Sequence, residues 1–307
     1  MRVLVAGVAG TLAQRHAVRL LREGHEVVGL DAREVRGAPK DLEVIRADLR
    51  KRAAEDVFRK RRPEAVVHMA TVTSLAVSSE ERNRINLGGT QAVFDYCKRY
   101  GVKQCLFVGR HTYYGAASDA PLYHTEDEPP RALDTFPELA DLVASDLYAA
   151  TALWRLPQLK TAVLRLCYTL GTPGAGTLSQ YIAGRRVPLV LGYDPLFQVL
   201  HEEDAVEALA LALKKKLRGI YNVAGPQPLP LSRVVHETGR TGLPHPETVL
   251  RLLIGRAGFP QLPAGALEHL KFPIVIDAGP FREATGFQPR YDEVQTLHRF
   301  RDVSALR

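Results

Sequence analysis

A chain of 307 residues with 46% hydrophobic and 24% charged side chains has ordinary globular composition, long enough for about two domains and neither disordered nor fibrous. Its 41 basic and 34 acidic residues leave a formal charge of +7, but the basic side chains are scattered, in runs no longer than Lys214-Lys215-Lys216 and residues 59–62. Without a basic stripe interleaved with aromatics, nucleic acid is not an expected partner, and small anionic ligands or a solvated face account better for the charge.

In chain order, short β-branched runs alternate with segments of helical period. Strands are predicted at 3–6, 26–30, 43–45, 65–68 and 104–108, and helices at 12–23, 53–59 and 85–100 between them. After a long loop come a helix over 138–155 closed by Pro157, a strand at 161–166, a helix at 203–216 and a strand at 219–223. This alternation is the sequence form of repeated βαβ units: an α/β, Rossmann-type, doubly wound parallel sheet with helices on both faces. Residues 1–170 and 201–225 would form that domain. Prolines and glycines break the pattern at 171–200 and 226–307, which are expected to form a smaller, discontinuous C-terminal substrate domain.

Cys97, Cys105 and Cys167 have no metal-ligand spacing, so no metal is expected, and a sparse, odd count suits a reducing compartment. The N-terminal Arg2-Val3-Leu4-Val5-Ala6-Gly7 lacks a signal-peptide pattern, and no apolar run of about 18 residues spans a bilayer. A cytoplasmic, soluble protein is the expectation.

Gly7-Val8-Ala9-Gly10-Thr11-Leu12-Ala13 follows the first strand and opens a helix. Glycine permits the tight turn and close backbone approach, and a helix N-terminus turns free N–H groups toward a diphosphate. Asp31 closes the second strand, where a carboxylate accepts both ribose hydroxyls and repels a 2′-phosphate. It argues for NAD over NADP, although Arg33, past Ala32, is placed to meet a phosphate.

From here the chain resembles the extended short-chain dehydrogenases/reductases, the NAD-dependent epimerase/dehydratase family. The motifs are Asp48-Leu49 after the third strand, His68-Met69-Ala70-Thr71 after the fourth, Asn86-Leu87-Gly88-Gly89-Thr90, Tyr114-Gly115, and His201-Glu202-Glu203-Asp204. The resemblance covers residues 1 to about 225 in family order. It implies NAD held by Gly7, Ala9, Gly10, Thr11, Leu12, Asp31, Ala32, Arg33, Asp48, Leu49, Met69, Ala70, Thr71, Asn86, Val108 and Gly109.

That family's chemistry uses a Ser or Thr, a Tyr, and a Lys four residues after the Tyr. Counted back from Tyr114-Gly115, the hydroxyl position is Arg110, with Thr112 close by. Tyr148 has suitable flanks, but Ala152 stands where the lysine belongs, and Tyr148 lies too far along its helix. Counted back from Leu164-Arg165, the tyrosine position is Glu138 and the lysine position Leu142. The expected Pro and Asn beyond that arginine are Leu166 and Tyr168, and an arginine expected before His201 for a sugar-nucleotide diphosphate is Phe197. Loss of a positioned acid/base costs about 10²–10⁴ in rate.

Substitutes are Glu138, Asp141, Tyr113, His111 and Tyr168. Glu138 and Asp141 are better explained as favourable charge at a helix N-terminus. Arg110 would either grip an anionic substrate group or cap a loop. Arg110, Tyr113, Tyr168 and the 171–200 loop would line the substrate slot. His201 and Asp204 read as helix capping and packing. The basic, amphipathic stretch at 248–256 reads as a helix packed on its own domain, with a membrane surface or substrate lid as the rival.

Two functions follow: an oxidoreductase or epimerase-type enzyme with an altered catalytic set, or a catalytically degenerate dinucleotide-binding sensor or scaffold. A homodimer through the helices at 85–100 and 138–155, burying Leu139, Val143 and Tyr148, is also implied by the resemblance.

Overall fold

The computed structural model describes residues 1–75, 77–253 and 265–305. Its centre is a seven-stranded sheet of β1 (Arg2–Ala6), β2 (Glu26–Asp31), β3 (Glu43–Arg46), β4 (Ala65–His68), β5 (Gln104–Arg110), β6 (Lys160–Leu166) and β7 (Gly219–Val223). The spatial order is β7-β6-β5-β4-β1-β2-β3 and every pairing is parallel. Five major helices flank it: α1 (Thr11–Arg22), α2 (Arg52–Arg61), α3 (Ser79–Tyr100), α4 (Ala140–Arg155) and α5 (Glu202–Lys214).

Because side chains alternate along a strand, a sheet covered on both faces must be apolar at consecutive positions. The strands obey this: Val3, Val5, Val67, Leu106, Ala162 and Leu164 enter one apolar cluster, with Leu20 of α1 and Leu209 of α5. Leu4, Ala6, Val66, Phe107 and Val163 enter the other, with Phe58 of α2, Phe94 of α3 and Ala149 of α4.

A third cluster lies apart from the sheet, with Leu178, Ile182, Val187, Val199, Val234, Leu267, Leu297 and Phe300. Its strands Arg186–Val190 and Thr241–His245 pair in parallel. Ile274, Ile276, Phe281 and Phe287 belong instead to the first cluster. His124 and Ile276 form an isolated bridge that fixes this segment beside the sheet.

Two helix starts differ from the periodicity. α3 begins at Ser79 rather than 85, because Ser78 caps it with Oγ accepting from Glu81 N (3.3 Å) and Glu80 and Glu81 favour the first turn. α4 begins at Ala140. Pro137–Leu139 form a separate 3₁₀ turn, so Glu138 stands before the α-helix rather than on its first turn.

Within 248–256, Glu247–Leu253 is helical and Leu250 is buried in the third cluster, while residues 254–256 lie outside the described residues. No helix among the described residues is long and apolar enough to cross a membrane.

Candidate functional site

The strand order reverses between β1 and β4, which leaves a crevice outside the carboxyl ends of the strands. A cleft of about 370 Å³ occupies it. Its walls are the glycine turn, the residues after β4, β5 and β6, and residues of the segment 169–178.

Gly7 has φ +89°, and a Cβ there would lie 2.6 Å from the backbone of Met69 and Ala70, so only glycine lets the turns after β1 and β4 touch. Gly10 is the N-cap of α1 without a side-chain cap. The first N–H groups of that helix are therefore available to a ligand. Asp31 is 7% exposed, and its carboxylate accepts from Ala9 N (3.0 Å), Arg33 N (2.9 Å) and the Arg33 guanidinium (3.2 and 3.3 Å). Asp48 is likewise held by Arg50, at 2.9 Å to N and 3.0 and 2.6 Å to the guanidinium, whose hydrogen bond keeps that carboxyl below the usual range.

His68 orients the turn after β4. Thr90 Oγ1 donates to Asn86 O (2.7 Å), so it accepts from His68 Nε2–H (2.9 Å), leaving Nδ1 to accept from Ala70 N (3.4 Å). Burial pushes this ring down to about 4, which keeps it neutral. Asn86 clamps the same turn from behind, accepting from Val72 N (2.6 Å) and donating to Val72 O (2.9 Å).

Ten of the sixteen cofactor residues named from the resemblance line the cleft: Gly7, Ala9, Gly10, Thr11, Leu12, Arg33, Met69, Thr71, Val108 and Gly109. The other six do not. Asp31 stands behind Ala9 and Arg33, Ala32 O accepts from Arg46 Nε (3.1 Å), and Leu49 O accepts from the Tyr96 hydroxyl (3.1 Å). Asp48, Ala70 and Asn86 are tied to Arg50, His68 and Val72 as described.

Of the residues named for chemistry, Arg110, His111 and Tyr168 line the cleft, and Glu138, Asp141 and Tyr113 do not. Asp141 is 6% exposed, accepts from Arg82 Nη2 (3.1 Å) and from Asn86 Nδ2, and so ties α4 to α3. Glu138 gives its carbonyl to Arg82. Tyr113 lies under the Arg165 guanidinium, 3.5 Å from the ring centre. Tyr148 sits against Phe94 and beneath Arg155, away from the cleft.

Next to Arg110 is a hollow of about 20 Å³, the room of one water, with Leu139, Leu142 and Val143 among its walls alongside Thr71 and Thr112. Leu142 thus presents hydrocarbon to this hollow. Arg110 Nη1 donates to Thr177 Oγ1 (3.3 Å), and burial lowers the guanidinium pKa from its ordinary value. His111 donates from Nδ1 to Leu166 O (3.1 Å) and packs its ring edge-on to Tyr168, with centroids 4.3 Å apart. Burial pushes His111 down to about 3, the Cys167 thiol up to about 12, and the Tyr168 hydroxyl well above the usual phenol range.

The sequence reading did not anticipate Thr73, Cys167, or the clasp at the mouth. There Glu202 accepts from Thr172 N (3.1 Å) and pairs with Arg15 (2.8 Å), beneath a Gly171 whose Cβ would collide with it. His201 caps α5 by accepting from Glu203 N (3.3 Å), and Asp204 accepts from Arg290 N (3.0 Å) and Tyr291 N (3.2 Å), so both serve capping and packing.

Residues 3–224 match the NAD dependent epimerase/dehydratase family. The chain belongs to this family. The chain is similar to 3-diazoavenalumate denitrifying reductase of Streptomyces sp., 30% identical over 83% of this chain and 86% of that protein. An uncharacterized protein of Mycobacterium tuberculosis is 28% identical over 96% of this chain and 82% of its own. Among solved structures, UDP-glucose 4-epimerase of Thermus thermophilus, a complex with NAD, aligns over 99% of both chains at 26% identity with a TM-score of 0.78. The Rossmann-type fold and the family expected from the motifs are those found, and NAD is the family's cofactor.

Proposed function

We propose that the chain is an NAD-dependent oxidoreductase for a small-molecule substrate, with the Ser, Tyr and Lys positions of its family taken by Arg110, Glu138 and Leu142. The observation that carries this reading is at the end of β5, where Arg110 lines the cleft and the small hollow beside it is walled by Leu139, Leu142 and Val143, with Tyr113 and Asp146 there engaged by Arg165. The cradle fits the cofactor: a turn at Gly7 that no Cβ can enter, an uncapped start of α1, and a buried carboxylate at Asp31. Asp31 favours a free 2′-hydroxyl over a 2′-phosphate, and its fork with Arg33 engages the guanidinium that would otherwise meet that phosphate.

When bound, NAD supplies or accepts hydride. The chain's own contribution is electrostatic: the Arg110 guanidinium holds and orients an anionic substrate group without itself exchanging a proton, and the proton that accompanies hydride transfer passes between the substrate oxygen and water in the cleft. Tyr168 and Cys167 stay protonated and His111 stays neutral at physiological pH, so they orient and exclude water. The reductase named among the relatives supports redox chemistry over a purely binding role.

Calorimetry is expected to detect NAD uptake, tighter than NADP, which Gly7→Ala abolishes. With an active substrate, kcat should be flat between about pH 6.5 and 9, and Glu138→Ala should leave it within about twofold. Absence of NAD uptake by the folded protein would end this reading; a bell-shaped profile centred near pH 7 would end the relay-free part of it.

A homodimer through α3 and α4 belongs to the same proposal, with a different surface from the one the resemblance implied. Leu139 and Val143 are 8% and 2% exposed and already fill the protomer's interior, whereas Trp154 is 74% and Leu147 39% exposed on α4. Sedimentation should give a dimer that Trp154→Glu converts to monomers; a monomeric parent protein refutes it.

A further inference from the structure

Three residues lining the cleft carry formal charge: Arg33, Arg110 and Glu202. Arg33 is forked onto Asp31, and Glu202 is paired with Arg15 at 2.8 Å and bonded by Thr172. Arg110 differs. Its hydrogen bond goes to the neutral hydroxyl of Thr177 (3.3 Å), and no carboxylate among the described residues forms an ion pair with it.

The contrast with the interior arginines is informative. Arg82 is matched by Asp141 (3.1 Å) and Arg165 by Asp146 (2.8 Å), as expected where a desolvated charge must be neutralised. Arg110, partly buried in the same molecule, has been given a place in a cleft wall instead of a partner. The planar, two-pronged donor fits a carboxylate or a phosphate alike, but one unbalanced positive charge is neutralised by one carboxylate, whereas a phosphate dianion would leave a negative charge without a partner in the cleft. Around it the wall is aromatic and hydroxylic: Tyr168, stacked on Phe197 at 5.3 Å, with Thr112 and Thr177.

We infer that the substrate is a small carboxylic acid, held as its carboxylate by Arg110, with Thr177 as a second hydroxyl contact. This rests on the oxidoreductase reading above and names its substrate class. It also explains why a cation displaced the hydroxyl residue at the end of β5: the position has passed from proton handling to anchoring.

The test is calorimetry on the full chain with and without saturating NADH, titrating benzoate, phenylacetate and pyruvate, each against its primary amide, and phenyl phosphate. At least one carboxylate is expected to bind ten-fold or more tighter than its amide and tighter than phenyl phosphate. Arg110→Gln should erase that ten-fold preference while amide binding stays, and Arg110→Lys should restore part of it. The NADH isotherm of each variant serves as the folding control. Equal binding of acid and amide, no binding of any of the three acids, or a preference that survives Arg110→Gln overturns the inference. Tighter binding of phenyl phosphate assigns the position to a phosphate and overturns the carboxylate. Since NADH uptake is read separately, failure of the cofactor reading is distinguishable from failure of the anion subsite.

Discussion

Acidification from pH 8 to 5 is expected to destabilise the protein strongly. His16, His68 and His269 are pushed down by burial to about 4, and His111 to about 3, against an ordinary 6.5. Each is neutral when folded and free to take a proton when unfolded. The unfolded chain therefore binds more protons between about pH 6.5 and 4, and stability rises with pH through that window and is complete above it. The loss at pH 5 is about 2 kcal/mol for each of the four rings, together comparable with the roughly 5–15 kcal/mol that holds a domain. His68 gives the local picture: protonating Nδ1 sets a second donor against Ala70 N–H at 3.4 Å and releases the turn that borders the cleft. Thermal melts at half-unit intervals from pH 8 to 5 read the effect. A melting temperature constant down to pH 5 would mean that the rings are solvated or can be protonated in place.

Replacing Asp146 with alanine is expected to cost about 3–5 kcal/mol, because it leaves a buried guanidinium without its counter-charge. Arg165 is 1% and Asp146 2% exposed, joined by contacts of 2.8, 3.2 and 3.2 Å. Burial raises the Asp146 carboxyl from its ordinary value and the arginine opposes that shift. Arg165 also donates to the Tyr114 hydroxyl (3.0 Å), which donates onward to Asn222 Oδ1 (2.7 Å), so side chains on and beside β5, β6 and β7 depend on this pair. For a chain of this size the melting temperature should fall by roughly 5–8 °C. A fall under about 2 °C would show that water or a shifted acceptor replaces the carboxylate. The effect reaches the cleft, since the Tyr113–Tyr114 turn that this arginine supports begins directly after Arg110.

The amino-acid sequence by itself determined the alternating βα order, the glycine turn and the position of Asp31 at the end of the second strand. Those depend on periodicity, local backbone conformation and residue identity, all of which are local along the chain. Only tertiary structure decided which acids and bases face the cleft. Asp141 looked available on a helix start, but Arg82 and Asn86, more than fifty residues earlier, consume it. Arg110 looked equally suited to a loop cap, yet folding brings no carboxylate among the described residues to pair with it and opens its wall to a crevice shared with Tyr168 and Thr177. The reason is physical: whether a charge is free for chemistry depends on the groups that long-range packing places within a few ångströms, and no spacing in the chain encodes that distance.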